Sequence, residues 1–180
     1  VEAYVKEDLK EVIKNQNEEM KNRREVIKNI ESIAYREGSK VIVNPVSSLM
    51  DMNQIPFVYE KMEDFKHKII YYESSRGCPF SCAFCLSGRC GKVRYIPLER
   101  VKSEMVLLSE MGAKTIKFVD RTFNFNIKRA NDIWRALLSD RFTGQFHFEV
   151  CASLLNEESF AILSQFPKGK IQLEFGLQST

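Results

Sequence analysis

No run of apolar residues in the 180-residue chain approaches the roughly 18 to 20 needed to cross a bilayer, and the charged N-terminus lacks the apolar segment of a signal peptide. Strong net charge is missing too: a formal +3 is too small to argue for nucleic acid. Only two histidines occur, His67 and His147, far apart in sequence, so no histidine pair offers a metal site. His147 reads as a satisfied strand residue, and His67 carries no functional argument. A secreted disulfide framework is excluded because the five cysteines are odd in number and three of them are clustered. These absences point to a soluble protein of a reducing compartment, the cytoplasm. What is present, 44% hydrophobic residues in a length that suits one domain, can supply a core.

The clustered cysteines are Cys78, Cys82 and Cys85 in the run GCPFSCAFC, directly after the apolar-aromatic stretch KIIYYESS. Thiolates are the usual ligands of iron-sulfur clusters, and a four-iron cube held by three of them keeps one iron free to bind something else. A strand feeding this glycine-containing loop places it at the C-terminal end of a first β-strand, where α/β folds put their ligand sites. With Cys90 the loop becomes a four-cysteine set suited to structural zinc or to an all-cysteine electron-transfer cluster. Cys151 reads as a small buried residue.

Organisation changes near residue 40. Residues 2 to 30 are rich in Glu, Lys and Asn, with Leu9, Ile13, Met20, Ile27 and Ile30 spaced to form one narrow apolar stripe on a linker helix. SIAYR and KVIVN around Glu37-Gly38-Ser39 predict a hairpin, and residues 45 to 66 read as a connection. The expected division is 1–66 for linker, hairpin and connection and 67–180 for the main domain.

From Lys68 onward strands alternate with helices. Ile69 to Ser75 is the first strand; Pro97 opens a helix that stops at Gly112; TIKFVD is the second strand. Asn126 caps the next helix, FHFEV is the third strand, Asn156 caps a helix ended by Pro167, and IQLEFGL is the fourth strand. The fold class is therefore α/β, a parallel sheet with right-handed crossovers curling as a partial barrel. Alternation puts His147, Glu149 and Cys151 on one face of strand three, opposite Phe146, Phe148 and Val150. On strand four, Gln172, Glu174 and Gln178 oppose Ile171, Leu173, Phe175 and Leu177. A barrel that were only structural would favour aliphatic layers, so inward carboxylates and amides call for a polar ligand or an internal polar network.

The CxxxCxxC spacing, the preceding SRG, and Phe84 just before the third cysteine resemble the radical S-adenosyl-L-methionine (SAM) superfamily. The stretch from about Ile55 to Thr180, with YYESSRGCPFSCAFCLS, KFVDRTFN, FHFEV and EFGLQST, resembles the branch whose members usually carry an N-terminal cobalamin (B12)-binding domain. This likeness implies a 4Fe-4S cluster on Cys78, Cys82 and Cys85 whose free iron chelates the methionine end of SAM. It also implies an external electron donor such as flavodoxin or ferredoxin, a substrate the sequence does not identify, and cobalamin from a domain outside this chain. Position in the motifs gives Glu149 and Gln178 hydrogen bonds to the ribose or the methionine amine. Asp120 stands where relatives have a glycine-rich segment, so its carboxylate substitutes for backbone contacts; Arg121 pairs with the SAM carboxylate, or with Asp120 or Glu149. Phe84 shields cluster and adenine, while Ser75, Arg76 and Gly77 border and shape the loop. Radical SAM cores resemble six-stranded partial barrels, so the chain is expected to be a fragment truncated after the fourth strand. That predicts four parallel strands in sequence order, residues 171 to 177 as a free edge, and weak turnover in isolation.

Overall fold

The computed structural model describes residues 18–176 apart from 19, 24, 47–48, 62–64, 66, 90–91 and 140. The chain divides into two compact units, Val1–Met50 and Asp51–Thr180. In the first, residues 18, 20–23 and 25–28 are helical. The predicted hairpin follows as β1 (Ala34–Glu37) and β2 (Lys40–Val43), antiparallel, with Gly38 at φ 61° in the turn. Asn44 Nδ2 donates to the carbonyls of Ile27 and Ile30, at the end of the helix where backbone acceptors run short of intrahelical donors. Of the expected apolar stripe, Leu9 and Ile13 lie outside the described residues, and Met20 and Ile30 are exposed.

The second unit carries β3 (Ile70–Tyr72), β4 (Ser75–Arg76), β5 (Arg94–Tyr95), α1 (Leu98–Glu110), β6 (Thr115–Phe118), α2 (Ile127–Leu137), β7 (Gln145–Val150), α3 (Glu157–Leu163) and β8 (Ile171–Phe175). The sheet runs β3-β6-β7-β8, every pair parallel, in the order in which the chain makes its strands. Each helix stands where its signals lie: the Asn126 side chain accepts from Arg129 N at 3.1 Å and that of Asn156 from Ser159 N at 2.9 Å. Gly112 follows the end of α1 at φ 85°, a conformation that costs glycine nothing. The helix before Pro167 stops earlier than the proline requires, at Leu163.

Period-two alternation sorts the strands into two faces. Ile116, Phe118, Phe146, Phe148 and Val150 point to the helices and are buried with Met105, Leu108, Ile133 and Trp134. Phe148 sits among three rings, stacked on Phe118 at 4.6 Å between centroids, tilted against Phe123 at 4.4 Å and edge-on to Trp134 at 6.1 Å.

Residues 51–59, expected as a plain connection, are packed on this core. Met52 is fully buried, and Ile55, Phe57 and Tyr59 lean on the core at every second position. Arg100 holds the segment by donating to the carbonyls of Asn53 and Ile55 while its Nε pairs with Glu104, which in turn accepts from Tyr72 Oη. Burial and the Glu104 hydrogen bond raise the Tyr72 phenol well above its ordinary range, so it stays a donor. Tyr59 Oη donates to Tyr71 O and accepts from Tyr71 N, occupying backbone groups at the outer edge of β3. Among the described residues no helix is long and apolar enough to cross a membrane.

Candidate functional site

Two residues after β3, the chain turns out of the sheet into a short antiparallel ribbon that sequence periodicity does not reveal. Ser75 faces Tyr95 and Arg76 faces Arg94 in β4–β5, and Ile96 N donates to Ser74 O at 2.9 Å. Residues 77–93 are thus a loop closed at its base, at the C-terminal end of β3. Gly77 makes that closure possible. It sits at φ 111°, and a Cβ there would meet Lys92 O at 2.9 Å and Val93 Cα at 3.1 Å. The close approach that this glycine permits is to the returning limb of its own loop. Gly77→Ala is expected to destabilise the unit by about 1–3 kcal/mol, from backbone strain and the clash together, measurable by urea unfolding.

The loop presents Cys78 half-buried and Cys82 and Cys85 exposed, none of the three in a disulfide, with Cys85 N donating to Cys82 O. Three thiols on one stapled loop, open to solvent, are a donor set that fits a 4Fe-4S cluster. Among the described residues no three His, Cys, Asp or Glu side chains are grouped to hold a single metal ion. Phe84 stands 79% exposed on this loop, and Cys90 lies outside the described residues.

Beside the loop the open face of the sheet forms a cavity of about 610 Å³, within the size range of small-molecule sites. Glu73, Arg76, Gly77 and Ser87 line it from the loop side, and Lys117, Val119, Arg121 and Glu149 from the sheet. Lys117 was not singled out from the sequence, although it occupies the inward position of TIKFVD by the same alternation that picks out Glu149. Its ammonium lies 3.4 Å from Glu149 and 3.2 Å from Glu174, which is 3.1 Å from His147 Nε2. Burial works most strongly against the charge of Lys117, but the hydrogen bond to Glu174 and the two carboxylates together outweigh it and raise its pKa. Glu149 therefore belongs to an internal ionic network as well as to the cavity wall. Arg76 pairs with Glu73 at 2.5 Å. Arg121 makes none of the ion pairs found among the described residues: the partners considered for it are taken, Glu149 by Lys117 and Asp120 by two serines.

Although its partner Ser75 lines this cavity, Asp120 itself does not. It follows Ile116 and Phe118 on the helix-facing side, so its carboxylate is buried, 1% exposed. There it accepts from Ser74 Oγ at 2.8 Å, from Ser75 Oγ, and from Ser74 N at 3.2 Å. Burial pushes its pKa up to about 6, and the serine hydrogen bonds only partly oppose the shift. Because this lies above the ordinary 3.8, the folded chain holds the proton more tightly than the unfolded one does. The stabilisation is complete below about pH 4 and is lost as pH rises through 6. On going from pH 7 to pH 5 the group is expected to add about 1 kcal/mol to stability, a gain that Asp120→Asn abolishes in denaturant titrations. Gln178 lies outside the described residues.

The profile of the Radical SAM superfamily matches residues 72–180, which covers the cysteine loop, the cavity and all four strands except the start of β3. The chain belongs to the radical SAM superfamily. An uncharacterized methyltransferase of Pyrococcus horikoshii is 38% identical over 117 residues, covering 59% of this chain and 26% of that protein. A provisionally named methylthiotransferase of Methanocaldococcus jannaschii is 31% identical over 91 residues, 48% of this chain and 20% of that protein. The chain thus spans about a quarter or less of the length of the curated relatives it matches. Among solved structures, the radical SAM methyltransferase TsrM of Kitasatospora setae has a similar fold. TM-scores are 0.64 for its cobalamin- and 4Fe-4S-bound form and 0.63 for its form with tryptophan and the analogue aza-SAM. Identities are 14% and 16%, with 83% of this chain covered and 33% and 32% of those chains. The radical SAM fold expected from the sequence, a parallel α/β sheet of partial-barrel type, is the fold observed.

Proposed function

We propose that residues 67–180 are part of a radical SAM enzyme core in which Cys78, Cys82 and Cys85 hold a 4Fe-4S cluster and the adjoining cavity takes SAM. The observation that carries this reading is the juxtaposition of a three-thiol loop with a cavity that offers both signs of charge, Arg121 and Lys117 against Glu73 and Glu149. The chemistry such a cluster supplies when bound is one-electron reductive cleavage of SAM to methionine and a 5′-deoxyadenosyl radical, which abstracts hydrogen from a substrate. The electron comes from an external donor such as flavodoxin or ferredoxin. The protein's own part is to bind and orient SAM. Arg121, which makes no ion pair among the described residues, takes the methionine carboxylate. Glu149 accepts from the ribose hydroxyls or the amine, and the Lys117 ammonium holds it in place. The linker role belongs to residues 1–50, since residues 51–59 already pack on the core, and a thiol-ligated cluster suits the reducing cytoplasm.

Methyl transfer is the finer reading. The relatives' names support it, and cobalamin bound in TsrM, a protein of similar fold, supports a cobalamin requirement met by a domain outside this chain. In the anaerobically reconstituted chain, SAM and a strong reductant should yield 5′-deoxyadenosine slowly without added substrate. Arg121→Ala and Glu149→Ala should each raise the Kd for SAM about tenfold or more while iron content stays at the wild-type level. Unchanged SAM affinity in both variants would overturn the assignment of the cavity.

A further inference from the structure

We propose that Asp120 is a positioning residue, a buried latch that fixes the departure of the cysteine loop from the sheet. The last β3–β6 backbone bond runs from Val119 N to Tyr72 O, and the next residue of that strand end is Asp120. Its carboxylate then takes three donors from two consecutive residues, Ser74 and Ser75, at the point where the chain leaves β3 and three positions before Cys78. The returning limb is tied to the same point. Ser74 O accepts from Ile96 N at 2.9 Å and from Arg129 Nη2 at 3.5 Å, and the Arg129 guanidinium lies 5.2 Å from the centre of the Tyr95 ring. The departing limb of β4–β5 is thus bonded directly to a carboxylate that is almost wholly buried and does not line the cavity, and the returning limb is bonded to the carbonyl of Ser74, one of the residues that carboxylate holds.

Burying a carboxylate is costly, and an apolar side chain at position 120 would extend the Ile116–Phe118 face at no such cost. An apolar residue, however, would leave two serine hydroxyls and an amide without partners at the hinge of the loop. The carboxylate supplies direction: strong, charge-assisted hydrogen bonds that set where the loop's first residues point. Asp120 thus serves the cluster without touching it, by keeping Cys78 and the ribbon in place.

The latch rests on the cluster reading for one of its two readouts only. In the reconstituted chain, Asp120→Ala and Ser75→Ala should release iron to a chelator faster than wild type, by about tenfold or more for Asp120→Ala. Without any cluster, the same variants should speed amide hydrogen exchange across residues 74–96 while leaving α2 and α3 protected. Asn131→Ala is the control. It breaks a comparable buried knot, in which Asn131 donates to Glu158 and accepts from Ser159, between α2 and α3. At matched loss of global stability it should change neither iron release nor exchange at 74–96. Ser75→Ala keeps the carboxylate and removes one donor, so it reads the latch even if Asp120→Ala does not fold. Wild-type exchange over 74–96 in both latch variants, or equal acceleration in Asn131→Ala, overturns the proposal. A wild-type chain that binds no iron would contradict the cluster reading, and the exchange result would still decide the latch.

Discussion

Alanine at Cys78, Cys82 or Cys85 is expected to remove the iron-sulfur chromophore from the anaerobically reconstituted chain, with iron falling to a small fraction of the wild-type content. In the proposed ligation each thiolate is one of three, so losing one would leave two ligands on a loop of which only the base is stapled. Among the described residues that line the cavity beside the loop there is no further thiol: it presents Arg76, Lys117 and Arg121 as cations, with Glu73 engaged by Arg76 and Glu149 by Lys117. Cys151→Ala should keep the cluster. Its backbone N is held by Asn124 Oδ1 at 2.8 Å and its carbonyl by Asn124 Nδ2 at 2.9 Å, and its Sγ lies beside Ser153 Oγ just past the end of β7. Cys90→Ala should keep it too. Loss of iron in Cys90→Ala, or tight zinc and no iron in protein from anaerobic cells, would move the reading to a four-cysteine module.

The second large effect lies in the core. Phe148→Ala should destabilise the second unit by about 3–5 kcal/mol, because the ring is fully buried and touches Phe118, Phe123 and Trp134 at once. That is a large part of a typical domain's total stability of roughly 5–15 kcal/mol. The consequence reaches the site through the strand itself: Glu149 is the next residue, on the opposite face, and its position depends on β7 staying paired to β6 and β8. Phe160→Ala is the contrast. That ring is mostly exposed on α3 and should change stability by no more than about 0.5 kcal/mol in the same urea titration.

How much of this was legible beforehand follows from which features are periodic. Strand alternation separated Glu149 and His147 from Phe146 and Phe148, and asparagine caps placed α2 and α3, because those signals are local and repeat. The β4–β5 ribbon was invisible, since strands of two residues have no period to detect. The docking of residues 51–59 depends on Arg100, Glu104 and Tyr72, which are remote in sequence and meet only in three dimensions. At Asp120 two local signals disagree. Motif position suggested a ligand contact, whereas parity with Ile116 and Phe118 places it on the helix side, and the same parity would have offered Lys117 to the cavity.

The most direct measurement is the electron paramagnetic resonance spectrum of the reduced, reconstituted chain with and without SAM, recorded for wild type and Cys90→Ala. In the proposed ligation three thiolates would leave one iron open to SAM, so addition of SAM should shift the cluster signal in both proteins, and neither should lose iron. A cluster signal indifferent to SAM, or one that disappears in Cys90→Ala, would contradict a three-cysteine SAM-binding cluster.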